Sequence, residues 1–159
     1  MYAILLLSET TLADHDAARI AQLHGDEDVE VHLLVPADAE HNRLIEALDE
    51  VALGRLRDAL DDADPSPEQA EQDAMHAVNA SLDKLRAVGI EESRGSVTGS
   101  DPVPAALEAV RLDGTDEVIV VSPPHPVESA LHRDWASRLR DALELPVLHI
   151  VSGTDRVIS

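Results

Sequence analysis

The sequence predicts a single α/β domain spanning residues 1–159, built on a doubly wound sheet of five parallel strands in the order 3-2-1-4-5. Three observations predict it. Strand-like segments alternate with helical ones along the whole chain, and several of the strands are continuous aliphatic runs rather than alternating ones, as strands covered on both faces require. The one strand that is polar on both faces, between Ile90 and Thr98, belongs at an edge and so fixes the direction of the order.

Tyr2 to Leu7 is the first strand, apolar throughout and closed by Ser8. Thr10 or Thr11 is expected to cap the helix that follows, with Asp14 three residues after Thr11, and Ala17, Ile20, Ala21 and His24 form its buried stripe up to Gly25. Val29 to Val35 is the second strand, ended by Pro36. Leu44, Ile45, Leu48, Val51, Ala52, Leu56, Ala59 and Leu60 recur at helical spacing, which predicts a helix between Asn42 and Asp62. An acidic hinge breaks it at Asp64-Pro65, and Ser66-Pro67-Glu68-Gln69 opens a further helix whose stripe is Ala74, Val78, Leu82 and Leu85.

After the polar third strand, Asp101 caps a helix with Pro102 in its first turn, and Ala106, Leu107 and Val110 face inward. Glu117 to Ser122 is a buried fourth strand. Val127, Ala130, Leu131, Trp135, Leu139, Ala142 and Leu143 line the last helix, with Trp135 expected in the core, and Pro146 introduces the fifth strand, Val147 to Val151. Right-handed crossovers between parallel strands then put helices on both faces.

Composition narrows the function classes. With no cysteine, thiolate catalysis, disulfides and Cys-ligated metal sites are excluded. The net charge of −20, with Lys84 the only lysine, opposes binding to nucleic acid and to anionic membranes. No apolar run approaches the roughly 18 residues of a membrane span, and the amino terminus lacks a basic leader, so a cytoplasmic location is expected. No metal site is expected either, because no two histidines stand at the spacing of a helical zinc motif.

In the order 3-2-1-4-5 the topological switch lies between strands one and four, so a ligand would sit at their carboxyl ends. The candidate ligand-binding residues there are Ser8, Glu9, Thr10, Ser122 and His125, with Val35, Pro36 and Gly99 at the ends of the neighbouring strands and His132 and Arg133 at the start of the last helix. The imidazoles and guanidinium could hold a small anion at a helix amino end. The loop itself, Ser122-Pro123-Pro124-His125-Pro126, has no glycine, and its three prolines remove three backbone donors. No nucleophile elbow, Walker loop or dinucleotide fingerprint occurs, so no catalytic residue can be named.

Four strings give the chain a family likeness: His32-Leu33-Leu34-Val35-Pro36-Ala37, Val97-Thr98-Gly99-Ser100-Asp101-Pro102, Asp116-Glu117-Val118-Ile119-Val120-Val121 and Leu145-Pro146-Val147-Leu148-His149-Ile150-Val151. Together with the order of elements they resemble the universal stress protein family over nearly the whole chain. The resemblance implies an adenine-nucleotide-α-hydrolase-like fold and a homodimer through the C-terminal strand Val147 to Val151. Members that bind ATP carry an acidic residue after strand one and a glycine-rich stretch, Gly-x2-Gly-x9-Gly-Ser or Thr, after strand four. Here Ser8 stands at the acidic position and none of the motif glycines is present. The expected function is a non-enzymatic regulatory or interaction module without ATP or another cofactor, which pairs with itself and with a protein partner. The alternative is a protein that holds a small anion or nucleotide in the cleft between strands one and four. The edge strand has an alternative too: the residues after Gly153 fold back and cover it within one chain.

Overall fold

Strand β1 (Tyr2–Ser8) occupies the middle of the sheet, and its side chains explain why a continuous aliphatic run was needed. Ile4 and Leu6 enter one core, Leu5 and Leu7 the other, and all four are buried. The computed structural model describes residues 1–37, 67–124, 126–154 and 157–158. The helix expected between Asn42 and Asp62, its acidic hinge and Ser66 lie outside the described residues.

The described elements follow in the order α1 (Asp14–His24), β2 (Val29–Pro36), α2 (Pro67–Ala87), β3 (Glu92–Thr98), α3 (Val103–Asp113), β4 (Glu117–Ser122), α4 (Pro126–Ala142), β5 (Val147–Val151) and β6 (Val157–Ile158). The sheet runs β3-β2-β1-β4-β5-β6. Its first five strands are parallel in the order 3-2-1-4-5, as the sequence predicts. The sixth is antiparallel: His149 pairs with Ile158 and Ile150 with Val157, so part of the outer edge of β5 is covered within the chain.

Helices α1 and α2 pack on one face against Val31, Leu33, Val35, Ile119 and Ile150. Helices α3 and α4 pack on the other against Leu34, Val118, Val120 and Val147, with Trp135 buried among them as expected. Gly95 lets α2 approach the edge strand: a Cβ there would collide with the Val78 side chain.

Two helix starts differ from expectation. Helix α1 begins at Asp14 with Ala13 as its first flanking residue, not with Thr10 or Thr11. Leu12 is drawn into the core and its N–H donates to Ser81 Oγ of α2 at 3.0 Å, which moves the cap from Thr10 or Thr11 on to Ala13. The capping carboxylate is accordingly Asp16, which accepts the Ala13 N–H at 3.0 Å. At α3 the flanking residue is Pro102, but Asp101 still accepts the Val103 N–H at 3.1 Å. Arg138 of α4 holds the same carboxylate with bonds of 3.1 and 2.9 Å, which lower its pKa.

Candidate functional site

The switch point lies where β1 and β4 separate, with Ser8 in register with Val121. Ser8 is buried and its hydroxyl donates to the Thr10 carbonyl at 2.7 Å, which folds the chain back after the strand. Glu9 is buried beside it. Ser122 is fully buried; its carbonyl accepts the Ser152 N–H at 2.7 Å, and its hydroxyl has no hydrogen-bond partner among the described residues.

A second carboxylate closes this end of the sheet. Asp16, 1% exposed, accepts from Ser152 Oγ at 2.5 Å and from the Gly153 N–H at 2.8 Å, in addition to Ala13. Gly153 turns the chain after β5 at φ +72°, a conformation that excludes most side chains. The start of α1 is thereby tied to the turn beyond β5. Nothing in the sequence pattern marks Asp16, whose position in the first turn of a helix reads as ordinary charge placement.

The remaining expected site residues are dispersed. Val35 is in the core under α1 and α2, Pro36 ends β2, and Gly99 is exposed beyond β3, two strands from β1. Arg133 is exposed on α4. His125 lies outside the described residues, as does the His132 side chain, although its backbone continues α4. The structure thus brings together Ser8, Glu9, Thr10 and Ser122.

At the opposite, amino-terminal end of the sheet, Tyr2 Oη donates to Glu117 Oε2 at 2.9 Å, and His24 Nε2 stands 3.6 Å from the same oxygen. Burial, and then the Glu117 carboxylate, push the Tyr2 phenol up to about 12. The tyrosine and histidine rings lie 4.9 Å apart. A cavity of about 210 Å³ opens nearby between Ala21, Val29, Val88 and the acidic Glu27, Asp28 and Glu91.

A third polar cluster lies on the α3 face at the β2–β3 edge. His32 Nδ1 is 2.9 Å from Asp113 Oδ2 and its Nε2 is 3.2 Å from Ser96 Oγ. Arg94, in register with His32, bonds the same Asp113 oxygen at 2.7 Å and reaches Glu30 at 3.4 Å. Burial opposes ionisation of Asp113, but the hydrogen bonds from His32 and Arg94 outweigh it and hold the carboxyl below its usual range. The sequence alone names no catalytic residue, whereas the structure joins His32 to a serine and an aspartate. Among the described residues, no group of three or more histidines, aspartates and glutamates is placed to hold a metal, and no helix is long and apolar enough to cross a membrane.

The chain is similar to solved structures along nearly its full length. Hypothetical protein MJ0577, a test case in assigning biochemical function from structure, superposes with a TM-score of 0.57 at 16% identity, covering 97% of this chain and 98% of its own. Hypothetical protein PH0823 superposes at 0.58 with 16% identity, over 96% of this chain and 98% of its own. A universal stress protein family protein from Arabidopsis thaliana, with AMP bound, superposes at 0.51 with 14% identity, over 96% and 94%. At these identities the likeness is one of fold. No family model matches the sequence, and no curated protein matches it.

Proposed function

We propose that this chain is a universal-stress-type protein acting in the cytoplasm as a regulatory or interaction module, with a switch-point cleft that does not grip ATP. The observation that carries the reading is the chemistry of that cleft in a fold shared with an AMP-bound relative. Polyphosphates are held by runs of backbone N–H groups that glycine lets come close. After β4 this chain has Pro123, Pro124 and Pro126 and no glycine before Gly153. The buried carboxylates Glu9 and Asp16 at the same end of the sheet, within a chain of net charge −20, oppose a triphosphate further. Self-association through the C-terminal edge and capture of a protein partner belong to the same reading, since a fold without a cofactor acts through its surfaces. Calorimetric titration of the full chain with ATP and AMP, together with melting curves, tests it. The expected result is no saturable heat and an unchanged Tm; binding with a micromolar Kd, which at a hundredfold excess stabilises by about 2.7 kcal/mol, would overturn it.

A further inference from the structure

We propose that Ser96, His32 and Asp113 form an acyl-transfer site at the β3 edge of the sheet, accepting small uncharged carboxylic esters. The site is separate from the switch-point cleft and stands whether or not that cleft binds a nucleotide.

The tautomer of His32 follows from its neighbours. An ionised carboxylate only accepts hydrogen bonds, so the proton on Nδ1 must point to Asp113, 2.9 Å away. Nε2 then carries the lone pair, and at 3.2 Å the Ser96 hydroxyl is the group that donates to it. Nucleophile, base and orienting carboxylate therefore stand in the relation that activates a serine, with both bonds formed before any substrate arrives. Arg94 bonds the same Asp113 oxygen as the imidazole and favours its ionised form.

Ser96 is an exposed residue. The Ala37 N–H bonds the Thr98 carbonyl, which faces Thr98 and, by alternation, Ser96 toward β2. The N–H of Val97, the residue after the nucleophile, is turned away from β2 and can donate to an oxyanion. Glu30 and the overall charge of −20 repel anionic acyl compounds, which leaves neutral esters.

In the reaction, Ser96 Oγ bonds to the ester carbonyl carbon while Nε2 of His32 takes the hydroxyl proton. The carbon–oxygen bond to the leaving group then breaks, and the imidazolium returns that proton to the departing alkoxide. Water attacks the acyl-serine, its proton passes through His32 to Ser96 Oγ, and the carboxylic acid leaves. The net change is ester plus water to acid plus alcohol. Ser96 and His32 are the catalytic residues, and Asp113 and Arg94 are positioning residues.

The full-length protein incubated with 4-nitrophenyl acetate provides the test, by release of nitrophenolate and by mapping the acetyl group on digested protein. The expected result is acetylation of Ser96 and a rate that falls about a hundredfold in Ser96→Ala and in His32→Gln. Asp113→Asn acts through the imidazole, so it alters the pH dependence of acylation as well as its rate. Acetyl groups found only on Lys84, the amino terminus or histidines would overturn the proposal. So would a Ser96→Ala variant of unchanged melting temperature that releases nitrophenolate as fast as the parent, or a parent no faster than buffer.

Discussion

His149 occupies an environment its side-chain type does not prefer. It is 1% exposed on β5, and its Nε2 has no hydrogen-bond partner among the described residues. Burial, with Arg133 and Arg140 adding repulsion, lowers its pKa from the ordinary 6.5. The unfolded chain takes up a proton near 6.5 that the native protein refuses, so stability is level above that pH and declines below it. Melting curves for the parent are expected to move down between pH 6.5 and 5, and those of His149→Leu to move less; equal slopes would show that the acid sensitivity resides elsewhere. The sequence places His149 on the fifth strand but does not reveal what surrounds its ring, because strand alternation reveals the face a residue occupies and not what meets it there. The Ser96–His32–Asp113 group was hidden for a related reason: its members are 64 and 81 positions apart and share no local motif.

Among the elements, β3 shows how much a sequence pattern conveys. Its polar composition placed it at one end of the order, where it lies outermost among the described residues. The reason a glycine interrupts it appears only in three dimensions, since α2 presses Val78 onto the strand at Gly95. Replacing Gly95 by Ala forces either the Val78 rotamer or the helix to move, and about 1–3 kcal/mol of destabilisation is expected in urea unfolding. A loss well below that range would mean that α2 yields without strain. The start of α1 teaches the converse lesson. Thr11 satisfies every local rule for a cap, yet burial of Leu12 decides where the helix begins. Local chemistry nominated a candidate and tertiary packing selected another.

For the whole molecule, the parallel order was legible because burial on both faces leaves long aliphatic runs, whereas β6 contributes only two residues and leaves no such mark. That short strand bears on assembly. It occupies the edge of β5 at His149 and Ile150, where pairing with a second copy is expected from the sequence. A chain ending at Thr154 is therefore expected to sediment as a dimer at lower concentration than the full chain; an unchanged profile would rule out the β5 edge as the self-association surface. Asp16 has a consequence of another kind. Its partners Ser152 and Gly153 lie 136 and 137 residues further along the chain. While the polypeptide emerges from the ribosome, those donors do not yet exist, and a carboxylate destined for the interior has only solvent and the Ala13 N–H for company. The clasp shuts when synthesis is nearly done, so a nascent chain stopped short of Ser152 keeps its first helix unfastened.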